Sequence, residues 1–467
     1  MVDVSREEIT NGSLTRALLL LAAPLVMQNL VQVAQQVVDT FWLGRLGEDT
    51  VAAVGLNFPL LALLFSAVMI TNVGTQVLVS QRVGANDESG ARRAVFHGVT
   101  LALVLGTMLA AFVFVFGVGI ISLFGAEASV ASMGVVYLTT YSLGFPLIGM
   151  CDAIEMGFIG WGDSRAALYI NIIAVVVNMI LDPFLIFGYG IPDFSGFQVA
   201  GAALATILGY AMSLLFALGM TLRGRNGFSI TRKSMTFRRT DYREILDIGL
   251  PICGQRAAGQ SVRLFIIAVV VSAGGSAALA AYTVGARIAS VAFIPAGGLS
   301  QAAQSIIGQN IGADKPMRAR RTTWTGAAIA AIGLTFVGVV QWAAPGALVR
   351  IFVPDMTPNG FKLTVEYLKI LAYGYWAIGA MYLFNAGFNG ARRTKVTMLA
   401  DLLKYWSVRL PIAAIGVLWF GYTVRAAFWA VTISNIVGAI GAGTYYYYST
   451  SNGMIERAIE TASNPAD

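Results

Sequence analysis

The chain has 467 residues, 57% of them hydrophobic and only 12% charged, a balance that excludes a soluble globular protein. Its formal charge of +7 is unevenly spread, so it reads as a topology signal and points to no nucleic-acid partner. One histidine, His97, and two cysteines in apolar runs, Cys151 and Cys253, exclude a transition-metal site and make a disulfide staple a poor expectation.

The N-terminal residues carry acids and run into a long apolar helix with no small-residue cleavage site, so no signal peptide is expected. Apolar windows long enough to span a bilayer then predict helices near 15–43, 51–79, 94–122, 131–158, 165–189 and 199–222. After a basic stretch they resume near 244–272, 279–307, 323–352, 363–388, 396–420 and 424–449. The fold class is therefore all-α integral membrane with twelve transmembrane helices, which the internal repeat described below arranges as two pseudo-symmetric six-helix lobes around a central cavity. The division expected is 1–222 for the first lobe, 223–243 for a basic linker and 244–467 for the second lobe with a short polar tail.

In the first helix Gln28, Gln32, Gln35, Gln36 and Asp39 recur at three- or four-residue spacing, one polar stripe that must avoid lipid. Glu155 lies near the end of the fourth helix. Asn178 and Asp182 share a face of the fifth at i, i+4, and Thr206 follows in the sixth. Two carboxylates among amide and hydroxyl oxygens suit a hard monovalent cation or a shared proton. The bland alternative places Asp39 and Asp182 in interfacial water as helix-end acids. The seventh helix repeats none of these acids. It carries Gln255, Arg256, Gln260 and Arg263, and Asp401 is a candidate partner for an arginine there. Pairing between helices competes with ligand contact for Arg256 and Arg263, as it does for Arg287 and Arg409.

Basic residues concentrate in alternate loops, from Arg82, Arg92 and Arg93 to Arg392, Arg393 and Lys395, which places both termini in the cytoplasm. The halves also repeat. Ala22-Ala23-Pro24-Leu25 is answered by Gly249-Leu250-Pro251-Ile252, Val83-Gly84-Ala85 by Ile311-Gly312-Ala313, and Gly157-Phe158-Ile159-Gly160 by Gly387-Phe388-Asn389-Gly390, all at offsets of 227 to 230 residues. Two parallel six-helix repeats can rock between inward- and outward-open states, which a channel or an intramembrane enzyme does not need. No nucleophile set faces a common point, so the chain is not read as an enzyme.

The segments Val38-Asp39-Thr40-Phe41-Trp42-Leu43-Gly44, Gln81-Arg82-Val83-Gly84-Ala85, Gly160-Trp161-Gly162-Asp163-Ser164 and Asn178 through Pro183 resemble the multidrug and toxic compound extrusion (MATE) family across nearly the whole chain. Apart from Glu244 and Asp247 at the start of the seventh helix, the seventh and eighth helices lack acids, as in the DinF-like branch. The resemblance implies export of organic, cationic and amphipathic compounds, including xenobiotics, in exchange for protons or sodium. It implies a prokaryotic plasma membrane, a working monomer and no cofactor beyond the coupling cation. It also places the coupling cation, including a sodium ion, at Asp39, Asn178, Asp182 and Thr206. Glu155, where relatives carry an Asn, adds a proton site or alters ion selectivity. Pro24, Gln28, Gln32 and Gln36, with Gln255, Arg256 and Arg263 in the second lobe, are expected to line or support the substrate cavity. A flippase for lipid-linked saccharides is the alternative, with Arg256 and Arg263 on an anionic headgroup.

Overall fold

A computed structural model of the protein describes residues 6–190, 192–354 and 356–463. Every regular element among them is helical. In chain order they are α1 (Arg6–Asn11), α2 (Leu14–Gly44), α3 (Glu48–Gly84), α4 (Glu88–Ser122), α5 (Ala128–Ser142), α6 (Phe145–Trp161), α7 (Ser164–Phe187) and α8 (Val199–Leu222). Then come α9 (Arg239–Ala292), α10 (Ile294–Gly312), α11 (Pro316–Ala343), α12 (Pro345–Phe352), α13 (Pro358–Ala372) and α14 (Tyr375–Gly390). A last group holds α15 (Thr394–Leu402), α16 (Leu410–Ala414), α17 (Arg425–Ser451) and α18 (Met454–Ser463).

Nine helices among the described residues are long and apolar enough to cross a bilayer, and the bent pair α5–α6, turned by 48°, makes a tenth. Two more complete the expected twelve. The 54-residue α9 contains two helices divided at Gly275, whose φ of 60° and ψ of −149° only glycine adopts readily, and its second part continues into α10. The other is α13 followed by α14, interrupted at Tyr373 and Gly374. Large apolar side chains stand outward on these helices, among them Val115, Ile332 and Phe336, each about 70% exposed. In water that surface would aggregate; in hydrocarbon it costs nothing.

The chain forms two compact units. The first is built mainly from Met27–Leu250, the second from Glu7–Val26 with Pro251–Asn464. Helix α2 thus changes unit two residues past Pro24, and α9 changes unit at Pro251, so the division points differ from the expected 222 and 243. The reason lies in residues 223–250, which pack on the first unit.

Phe228 is fully buried there, against Phe158 at 4.8 Å and Trp161 at 5.2 Å. Arg225 donates to Asp163 Oδ2 at 2.7 Å and Asn226 donates to the same oxygen at 2.8 Å. Asp241 accepts from Arg82 at 2.6 Å and from Arg93 at 2.7 Å. His97, with no exposed surface, donates from Nδ1 to the Arg93 carbonyl at 2.7 Å and accepts at Nε2 from the Arg238 N–H at 2.9 Å. Both nitrogens of its neutral ring are satisfied, so the single histidine is a clasp for the linker.

Within the first unit, α7 and α8 approach closely at Gly209, where an added Cβ would fall 2.5 Å from the Ala174 carbonyl oxygen and 3.3 Å from Asn178. Gly209→Ala therefore forces the helices apart beside the polar cluster described below, at a cost of about 1–3 kcal/mol. A thermal shift measured in detergent checks this; an unchanged midpoint would mean that the contact relaxes freely.

In the second unit the core gathers Val262, Ile266, Tyr282, Tyr367, Leu371, Tyr375 and Phe428. Tyr375 donates to Gln341 Oε1 at 2.7 Å and Thr432 to the Ile370 carbonyl at 2.9 Å, so the buried polar atoms of this core are paired locally.

Candidate functional site

The glutamine stripe of α2 meets α6 and α7 in the first unit, and Thr206 of α8 joins it through Asn178. Gln28 is buried, Gln32, Gln35 and Asp39 are half-buried, and Gln36 is exposed. Asn178 and Asp182 are each about 1% exposed and Thr206 about 8%. The amide of Asn178 is the centre of the cluster. It lies 3.1 Å from Asp39 Oδ1, 2.9 Å from the Gln35 amide nitrogen, 3.3 Å from Thr206 Oγ1 and 3.4 Å from Asp182 Oδ1. The four residues expected to hold the coupling cation are thus brought together.

No single arrangement of that amide satisfies both acids. With its nitrogen toward Asp39, its oxygen faces Asp182; reversed, its nitrogen donates to Asp182 and Thr206 while its oxygen faces Asp39. One carboxylate always confronts an oxygen, and Asp182 Oδ2 is buried with no hydrogen-bond partner. The carboxyl groups of Asp39 and Asp182 also lie within hydrogen-bond reach of each other. A buried array with more acceptors than donors requires a proton or a cation. Pro183, inside α7, adds to the excess, since it brings no N–H for the carbonyl of Met179.

Glu155 belongs to a second cluster. Gln28 Nε2 donates to Glu155 Oε1 at 2.6 Å, and one turn earlier Asp152 Oδ2 accepts from Asn72 at 3.3 Å. Tyr141 of α5 lies near enough to act electrostatically on both Asp39 and Asp152. Sequence reasoning missed Asp152, Asn72 and Tyr141, although Asp152 and Glu155 at i, i+3 in an apolar run were a readable signal.

Gln28 Oε1 is buried and unpartnered. A protonated Glu155 would close a second hydrogen bond onto it, whereas an ionised one leaves it unmet. Glu155→Gln can reproduce that two-bond pair and is expected to leave stability unchanged. Glu155→Ala strands the Gln28 amide at a cost of about 1–3 kcal/mol. Unfolding midpoints of the two variants decide this, and equal losses would contradict it.

The second unit differs. Asp401 accepts from Gln255 at 2.5 Å and pairs with Lys404 at 2.6 Å, so it does not partner an arginine of the seventh span. Lys404, buried and not anticipated from sequence, is the stronger competitor because it sits on the same helical turn, at i, i+3. Arg409 donates to Ser434 and Asn435, both at 2.9 Å. Arg256 and Arg263 are exposed, and among the described residues neither pairs with a carboxylate, which goes against the interhelical-pairing alternative for them.

The MatE family model matches this chain twice, over residues 24–184 and 251–415, at the offset of the internal repeat. A Shewanella oneidensis protein named as an FAD transporter is 25% identical over 448 residues, covering 94% of this chain and 96% of that one. The multidrug resistance protein PmpM of Pseudomonas aeruginosa is 26% identical over 405 residues, 85% of this chain and 83% of its own. Among solved structures, an outward-facing multidrug resistance MATE family transporter of the MOP superfamily superposes with a TM-score of 0.90 at 22% identity, covering 97% of this chain and 99% of that chain.

Proposed function

Since the chain belongs to the MatE family, and is therefore a multi-pass membrane transporter and no enzyme, we propose that it is a secondary antiporter exporting small organic compounds in exchange for protons or sodium. It works as a monomer in a prokaryotic plasma membrane with both termini in the cytoplasm, as the basic loops support. The observation that carries the coupling is the Asn178 amide caught between Asp39 and Asp182.

A proton on whichever carboxyl faces the Asn178 amide oxygen removes the oxygen-on-oxygen conflict directly, and the contact between the two carboxyls supports a single negative charge for the pair. A sodium ion would take the same oxygens, those of Asp39, Asp182, Asn178 and Thr206, in its place. Either cation and a competing substrate group exclude each other, so that gradient dissipation expels the substrate. The sequence resemblance implies organic cations for this role, and the multidrug resistance relatives support small organic compounds as the cargo.

Infrared difference spectroscopy of the purified protein tests the assignment. A protonated-carboxyl stretch that sodium titration removes in the wild type, and that is missing in Asp182→Asn, is the expected result. A spectrum unchanged by Asp182→Asn would overturn it.

A further inference from the structure

Inside its spans the second unit carries more positive charge than its own carboxylates balance. Asp401 is engaged by Lys404 and Gln255, and Glu366 by Arg425 at 2.5 Å. Among the described residues Arg409 hydrogen-bonds only neutral partners, Ser434 and Asn435. Arg256 and Arg263 have no carboxylate partner among the described residues and stand two turns apart on one face of α9. A guanidinium at mid-depth is too costly to point into hydrocarbon, so the exposed faces of these arginines look into water.

Between the two arginines, Gly259 packs on the stretch that carries the other two cations, since a Cβ added there would lie 3.3 Å from the Tyr405 ring. Arg263 and Arg409 both act electrostatically on Tyr282 and Tyr367, and Arg256 and Lys404 both act on Tyr382. Lys404 lies 4.2 Å and Arg409 4.7 Å from the centre of the Tyr405 ring. Those three residues share the stretch Leu403–Arg409, which is wound as a π-helix ahead of Pro411. The proline offers no N–H to the carbonyl of Ser407, and a widened turn of this kind is characteristic of ligand-binding stretches in helices.

We propose that the second unit holds an oxyanion-binding site in which the forks of Arg256 and Arg263 take a phosphate or carboxylate that the transported compound carries in addition to its cationic group, with Tyr382 and Tyr405 beside its apolar body. Paired guanidinium forks match an oxyanion bidentately, and an exposed tyrosine accepts a planar ring. Arg409, held by Ser434 and Asn435, keeps the surrounding potential positive, while the charge of Lys404 is balanced by Asp401. That the ligand is transported rests on the antiporter reading; the oxyanion site itself does not.

Equilibrium binding to protein in phosphatidylcholine nanodiscs, with no gradient imposed, separates the two. The probes are 1-naphthyl phosphate, its uncharged parent 1-naphthol, and undecaprenyl phosphate. The expected result is that naphthyl phosphate binds well above naphthol. Arg256→Gln and Arg263→Gln each weaken it about tenfold, the size of one charge-assisted hydrogen bond, and Arg263→Lys weakens it less. Both arginines are exposed, so the variants fold, and their elution profiles verify it. Binding of the prenyl phosphate alone, with the same arginine dependence, retains the oxyanion site but replaces the small-molecule antiporter by a lipid flippase. No phosphate binding, or binding indifferent to both arginine variants, overturns the proposal.

Discussion

Asp39→Asn and Asp182→Asn each abolish gradient-driven transport, by about two orders of magnitude or more, while the protein remains folded. A ligand shifts a conformational equilibrium only through its different affinity for the two states. The coupling cation acquires that difference from a cluster in which one oxygen too many faces Asn178. An asparagine at either acid supplies the missing donor permanently. The cluster is then satisfied with no cation, and the gradient has nothing to act on. Removing one of two close acids from a buried site also lessens repulsion and desolvation, so the thermal midpoint stays level or rises. Transport measured in proteoliposomes beside a thermal scan separates this from misfolding: a fall in both, or retained transport in both variants, contradicts the account.

Asp241→Ala produces the largest loss of stability. The carboxylate is about 3% exposed and receives Arg82, itself about 10% exposed, at 2.6 Å and Arg93 at 2.7 Å. Stripping it leaves two guanidinium groups of the first unit with their main partner gone. Breaking a buried ion pair from one side costs about 3–5 kcal/mol. The Arg238 N–H to His97 bond and the Tyr242 hydroxyl contact with Thr100 at 2.7 Å are next to the break, so residues 223–250 loosen with it. Limited proteolysis between Arg223 and Arg239, together with the unfolding midpoint, reads the effect. Resistance and a midpoint equal to the wild type would show that burial of Phe228 holds the linker unaided.

Much of this was legible in the residues themselves. Hydropathy and the offset of 227 to 230 residues gave the helical membrane class and the duplication. The stripe from Gln28 to Asp39 and the i, i+4 pair Asn178 and Asp182 gave the cluster, because helical periodicity determines which side chains share a face. What failed depended on competition between elements far apart in the chain. Asp401 could have met Arg263, but Lys404 on its own helix and Gln255 reach it first, which periodicity around Arg263 does not reveal. Glu155 lay close enough in pattern to join Asp39, yet Gln28 captures it separately. The basic run 223–243 reads as a solvated linker by charge, and only Phe228 and Asp241 hinted that it folds back on the first unit. The π-helical stretch around Tyr405 leaves no trace in hydrophobic periodicity beyond the proline that follows it.

The central claim, that a cation gradient drives the export of organic compounds through the Asp39–Asp182 cluster, is tested most directly by loading wild-type proteoliposomes with ethidium and imposing a pH gradient and a sodium gradient in separate runs. The account predicts that at least one gradient drives dye movement against its own concentration and that Asp182→Asn stops it under the same gradient. Dye movement that ignores both gradients, or that persists in Asp182→Asn, contradicts it.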